Sequence, residues 1–218
     1  MVIRLLVPSL CAAVLAVTAQ QASAQASSKD QWRIGLGKAD LHNSGSAAEI
    51  LPSHQPFVEL GWTRHLSGPW SLRAGFVHAP NKHRQTQHIV PAGGGITHTE
   101  DKDISTGFNV FQLGFGYTLA EGRWGQLTAM GMLTHSRMAI QGVENDTIVS
   151  GGTTTYAPVY NWRYRGNSNR LTVGLEYQLP GFESMGGVVP YVQIQKFTAD
   201  GGMGGKPFFI SAGLAKSF

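Results

Sequence analysis

Three groups of residues have the right types for chemistry. His78, His83, His88 and His98 lead into Glu100, Asp101 and Asp103. Imidazoles and carboxylates together bind Zn or Cu. The intervals match no compact ligand motif, so the stretch reads as a solvated polar loop and no metal ligand is assigned. Thr134-His135-Ser136-Arg137, with Glu144 nearby, holds the parts of a Ser–His–acid system. Such a system needs Ser and His side chains within hydrogen-bond reach. Adjacent residues on a strand point to opposite faces, so His135 and Ser136 diverge and no catalytic residue is assigned. Tyr160-Asn161-Trp162-Arg163-Tyr164-Arg165, followed by Arg170, alternates aromatics with arginines. An extended chain presents the two kinds on opposite sides. Arginine forks suit phosphate, while the same residues also fit the upper aromatic girdle of a strand that continues above a membrane. Pro91-Ala92-Gly93-Gly94-Gly95 is a flexible tip rather than a phosphate loop, because no Lys-Ser/Thr and no helix follow.

The elements that must position these groups are strands. Eight segments alternate with period two between turn signals: Trp32 to about Lys38, about Phe57 to Leu66, Trp70 to His78, Phe111 to Leu119, Trp124 to about His135, Leu171 to Gln178, about Val188 to Phe197, and Phe208 to Phe218. In the fourth, Phe111, Leu113, Phe115, Tyr117 and Leu119 alternate with Gln112, Gly114, Gly116 and Thr118. The fifth is ambiguous in phase, because Met130 and Met132 oppose Leu127 and Leu133, and a bulge would resolve it. Connections alternate in length, with short ones after strands two, four and six. Longer ones are expected at about 42–56, 79–108, 139–169 and 198–206.

The N-terminus reads as a secretory leader. Arg4 precedes a mostly apolar stretch, Leu5 to Ala19, and Ala22-Ser23-Ala24 is a small-residue cleavage site. Residues 1–24 are therefore the expected signal peptide and 25–218 the mature domain. Cleavage removes Cys11, the only cysteine, which excludes disulfides and thiol chemistry. A formal net charge of +4 with 14% charged residues is too mild for a nucleic-acid partner. No mature segment has the roughly 20 apolar residues of a membrane helix, and only helices and closed barrels satisfy every backbone group in lipid. Alternation, 28 glycines and abundant aromatics point to the barrel. A soluble β-sandwich or lipocalin-like barrel is the alternative, with its apolar face inward.

The final strand carries mostly large apolar residues, Phe208, Ile210, Leu214 and Phe218 among them, on one face and Phe209 with the small Ser211, Gly213, Ala215 and Ser217 on the other. Such a strand ending on an aromatic, the even strand count and the alternating connections resemble the OmpA/OmpX-like, opacity-type eight-stranded outer-membrane barrels. The resemblance spans about residues 31–218. It implies an all-β fold, an eight-stranded antiparallel transmembrane up-and-down barrel. It also implies an outer-membrane location and Phe218 as part of the signal read by the barrel-assembly machinery. No soluble domain is expected after the last strand, so tethering to peptidoglycan through one is not. Some relatives modify lipid A, but the deacylases separate their His and Ser by one residue and follow Ser with Asn, which this chain does not do.

With the apolar face in lipid, Arg33, Glu59, Arg73, Gln112, Glu176, Gln178, Gln193 and Gln195 point inward. Eight strands leave a lumen that side chains just fill, and buried charges must pair. An Arg33–Glu176–Arg73 cluster is expected, with Glu59 higher up. It reads as a plug that fixes register, with a gate or proton path as the alternative. The expected protein is a monomer without cofactors. It acts through its surface or in envelope integrity: adhesion, resistance, or contact of Tyr160, Trp162, Arg163, Tyr164, Arg165 and Arg170 with lipopolysaccharide. Its other partners are outer-membrane lipids. A narrow conduit and a lipid A-modifying enzyme are the second and third readings.

Overall fold

The computed structural model describes residues 30–41, 54–180, 187–198 and 207–218. The expected leader, the loop at 42–53, the link at 181–186 and the segment 199–206 lie outside the described residues. Nine strands form in chain order: β1 (Asp30–Asp40), β2 (His54–His65), β3 (Trp70–Gly93), β4 (Ile96–Gly122), β5 (Gly125–Ser150), β6 (Thr153–Tyr156), β7 (Tyr160–Gln178), β8 (Val188–Phe197) and β9 (Phe208–Ser217). Each neighbour pairs antiparallel, and β1 pairs with β9 from Gln31↔Ser217 to Asp40↔Phe208. β4 also pairs with β5, and β5 with β7. The ring β1–β2–β3–β4–β5–β7–β8–β9 therefore closes with eight strands, and β6 lies outside it on the upper part of β5.

Closure leaves no edge across the barrel, which is the condition for β-structure in lipid. The outer surface fits that solvent. Ile34, Leu36, Leu60, Leu113, Leu133, Leu171 and Ile210 are all exposed, Leu36 at 69%. A soluble barrel of the lipocalin kind would bury this set. Near the short turns the aromatics gather: Trp70 packs edge-on to Tyr117 at 4.9 Å, and the Tyr177 hydroxyl donates to the Trp124 carbonyl at 2.5 Å. This band is a membrane-interface girdle. Phe218 is 74% exposed, with Lys216 Nζ 5.6 Å above its ring.

Two expectations need correction. The segments 79–108 and 139–169 are largely strand, not loop. β3, β4 and β5 run 24, 27 and 26 residues, more than twice the roughly 9–11 that cross a bilayer. Beyond the apolar belt both faces of the sheet are wet, so the apolar signal fades while backbone pairing continues. The glycine-rich tip after Pro91 is a tight turn. Gly94 and Gly95 have φ of 61° and 75°, and Gly151 and Gly152 have 56° and 81°, as two-residue hairpins need for the sheet's twist. The ambiguous fifth strand keeps one phase, with Met130 and Met132 buried and Leu133 exposed. The irregularity falls on the facing strand, between Thr118 and Ala120.

The interior has two layers. Toward the short turns it is polar. Above that lies an apolar cap that the sequence reading did not foresee, with Phe57, Val77, Phe108, Val110, Phe197 and Phe209 packed together. The Phe209 ring lies 5.2, 5.7 and 5.0 Å from those of Phe57, Phe108 and Phe197. Phe209→Ala is expected to lower the unfolding free energy of the refolded barrel by about 3–5 kcal/mol, the usual cost of emptying a phenylalanine site. Urea titration in lipid vesicles measures it. A loss below about 1 kcal/mol would mean that the cap collapses without cost.

Candidate functional site

The polar layer is built by strands that bring alternate residues inward at one height. Arg33 on β1 faces Gly61 on β2, and Thr63 faces Arg73 on β3. Glu176 on β7 faces Thr128 on β5. Glycines make room for the long side chains. A Cβ on Gly61 would lie 2.8 Å from Arg33 Nη2, and one on Gly116 would lie 2.7 Å from Arg73 Nε. This explains the alternation of glycine with bulky polar residues on the inward face.

Arg33, Arg73 and Glu176 meet in the lumen, and Glu176 is fully buried. Arg73 grips its carboxylate with both fork nitrogens, Nη1 to Oε2 at 2.8 Å and Nη2 to Oε1 at 2.9 Å. Arg33 Nη1 donates to the same Oε2, and to Gln193 Oε1 at 3.0 Å. Gln178 Nε2 completes the shell by donating to Glu176 Oε1 at 2.8 Å. Glu59 stands above, accepting from the Tyr191 hydroxyl and Ser211 Oγ, each at 2.8 Å. The Arg33 guanidinium lies 5.6 Å over the Tyr191 ring, which joins the two carboxylates into one network. Tyr191 was not among the expected site residues. Its phase with Gln193 and Gln195 was the available signal, since an inward tyrosine hydroxyl needs a partner.

The arginine-rich segment divides by phase. Arg163 and Arg165 are exposed on the outward face. Tyr160, Trp162 and Tyr164 take the alternate positions. Trp162 packs against Ile104 and Ile140, and its Nε1 donates to Glu144 Oε1 at 3.1 Å. Arg170 does not belong to this surface. It is buried, 7% exposed, with Nε donating to Ser168 Oγ at 3.1 Å. Its parity is that of Thr172 and Glu176, so the strand carries it into the lumen.

The outward face holds a basic band that the sequence reading did not assemble. Three rungs lie directly above the apolar belt: His78–Asn109–Arg137–Asn167, then Gly107–Ala139–Arg165, then His83–Ser105–Gln141–Arg163. Arg137, Arg163 and Arg165 are exposed on them, and these rungs carry no carboxylate. His135 and Ser136 diverge as adjacent strand residues must. His135 Nδ1 bonds Asn169 Oδ1 at 2.7 Å, while Ser136 Oγ meets Ser168 Oγ at 2.7 Å. Glu144 serves Trp162 instead. Among the described residues, the group that could hold a metal is His98, Glu100 and Asp146, whose ligand atoms lie within 4.8 Å of one another.

No family model matches the chain, and no curated protein matches it. Solved structures do. Ail, the attachment invasion locus protein of Yersinia pestis, in complex with the heparin analogue sucrose octasulfate, is 11% identical with a TM-score of 0.50, over 88% of this chain and 100% of that one. Another structure of Ail is 13% identical with a TM-score of 0.49 and the same coverage. The outer membrane protease OmpT of Escherichia coli is 12% identical with a TM-score of 0.44, over 90% of this chain and 100% of that one. At such identities the likeness shows the fold alone, an eight-stranded antiparallel transmembrane barrel.

The cluster makes a contrast that stability can read. Glu176→Gln strands two buried guanidiniums and is expected to cost about 3–5 kcal/mol, whereas replacing Arg33, Arg73 and Glu176 together by Met, Leu and Leu is expected to cost far less. Urea unfolding in vesicles compares the two. Equal losses would mean that the charges do not act as a unit.

Proposed function

We propose that this chain is an integral protein of the bacterial outer membrane whose lumen is plugged and whose work lies at the outer surface, in contact with lipopolysaccharide. The outward arginines carry the reading. Arg137, Arg163 and Arg165 sit where the apolar belt ends, at the depth of lipid phosphates, on rungs without a carboxylate to neutralise them. Arginine offers a planar fork that matches phosphate and stays charged at any physiological pH. The orientation follows the rule that short turns face the periplasm and long connections face outward. Ail, on a similar fold, is seen in complex with the heparin analogue sucrose octasulfate, a polyanion.

The lumen supports a structural rather than a conducting role. The charged layer and the phenylalanine cap both lie across the path, so a conduit would need both to move. Contact with lipopolysaccharide would serve envelope integrity directly, and adhesion or resistance by way of the protruding sheet. The paired contacts of His135 and Ser136 give no support to a lipid A-modifying enzyme.

Binding to vesicles tests the reading. The Arg137→Ala/Arg163→Ala/Arg165→Ala variant, refolded in phosphatidylcholine, is expected to bind added lipopolysaccharide at least about tenfold more weakly, the worth of one charge-assisted hydrogen bond. Unchanged binding would overturn it. We assign Phe218 to recognition by the barrel-assembly machinery, on its exposed ring beside the girdle. Phe218→Ala is expected to reduce the heat-modifiable barrel recovered from outer membranes, and wild-type recovery would remove that role.

A further inference from the structure

Above the belt, β3, β4, β5 and β7 continue as an open sheet, and its inward face carries a second polar cluster distinct from the outward arginines. The cluster lies well above the lumen charges. Glu100 on β4 faces Asp146 on β5 across one rung, and faces His88 on β3 across the other side of the same rung. Directly paired residues share a face with Cβ atoms about 5 Å apart. His98, two residues before Glu100, points to that face from the next rung. One imidazole is thus placed beside two carboxylates, and a second imidazole stands opposite Glu100.

The distances favour a bridging ion over direct contact. His98 Nε2 is 3.8 Å from Asp146 Oδ2, beyond a hydrogen bond. Two donors each about 2.0–2.1 Å from a tetrahedral zinc stand about 3.4 Å apart, so the pair needs only a small closure. His98 and Asp146 are both partly exposed, with side-chain exposures of 31% and 41%. An ion from the medium can reach them and displace little protein. At present the local negative charge is met by Lys102. Its Nζ lies 3.2 Å from Glu100 Oε2 and 3.8 Å from Glu144 Oε1. The hydrogen bond that it donates to Glu100 holds the Lys102 ammonium above its ordinary range. Burial opposes this, and the charges of Glu144, Glu100 and Asp146 add to it. The lysine can keep Glu144 and release Glu100.

We propose that His98, Glu100 and Asp146 bind a divalent transition-metal cation of the zinc class on the inward face of the protruding sheet, with water completing its coordination. One imidazole and two carboxylates form a ligand set suited to such ions. The ion would link β4 and β5 beyond the membrane, where no lipid supports the sheet. The site goes beyond the lipopolysaccharide reading and is independent of it, since it uses the other face. Sequence spacing did not reveal it, because Asp146 comes from a different hairpin.

The test is calorimetric titration of the refolded full chain in detergent with Zn²⁺ alone. The expected result is saturable binding of one ion, with the His98→Ala/Asp146→Asn variant at least about tenfold weaker, a loss that even outer-sphere changes produce. Lys102→Gln removes the competing cation and is expected to bind several-fold more tightly. That opposite sign separates a site from damage to the fold. His83→Ala, whose imidazole lies 3.5 Å from Asp103 on the outward face, is expected to match the wild type. A second reading comes from trypsin, which cuts after Lys82, Arg84 or Lys102. Zn²⁺ is expected to slow cleavage there in the wild type but not in the double variant. Absence of saturable wild-type binding, an unchanged double variant, or a loss shared equally by His83→Ala would overturn the proposal and leave only adventitious capture by surface histidines.

Discussion

The pairing of β1 with β9 is the contact on which the rest depends. Without it the sheet has two long edges, and lipid offers no partner for their amides and carbonyls. With it the eight strands enclose a lumen only wide enough for side chains. Every inward position then becomes a packing problem, and every inward charge an electrostatic one. The glycines at 61 and 116 answer the first by clearing space under Arg33 and Arg73. Glu176 answers the second by taking hydrogen bonds from both arginines and from Gln178.

The two interior layers follow from that geometry. A buried ion pair is weak as a source of net stability, because desolvating each ion costs several kcal/mol and the attraction only roughly returns it. Its value here is positional. The fork of Arg73 fits one carboxylate at one height, and a slip of a single residue would turn Glu176 to lipid. The phenylalanine cap contributes in the ordinary way, by removing apolar surface from contact with water above the polar layer. Register comes from one layer and cohesion from the other.

Much of this was legible in the sequence for a physical reason. Between lipid and lumen, the two faces of a strand meet opposite solvents, so alternation is sharp in the runs around Phe111–Leu119 and Leu171–Gln178. The strand count, the phases and the inward set came from it. Past the belt the contrast disappears. Gln85, Gln87, Thr97 and Thr99 pair regularly across strands, yet nothing in their hydropathy distinguishes pairing from loop. Arg170 was misplaced by proximity to the arginine-rich run, although its parity with Thr172 and Glu176 put it inside. The phenylalanines of the cap were in phase with the lumen too, Phe57 with Glu59 and Phe209 with Ser211. An inward aromatic in an otherwise polar series is the sign of an apolar layer.

One strand, β5, shows how a constant backbone serves three environments. Met130 and Met132 face the lumen while Leu133 faces lipid. A few residues on, Arg137 faces outward at the end of the apolar belt, and near the tip Glu144 and Asp146 line the inward face of the protruding sheet. The ladder does not change along this path, so side-chain chemistry alone marks where lipid ends. Arginine is suited to that boundary because its stem can lie along the apolar belt while its fork reaches polar headgroups. The outward rungs that carry Arg137, Arg163 and Arg165 hold no carboxylate, and β5 places its acids on the other face. On β5 the exposed Arg137 therefore turns outward where the apolar belt ends, and Glu144 and Asp146 turn inward farther along the same ladder.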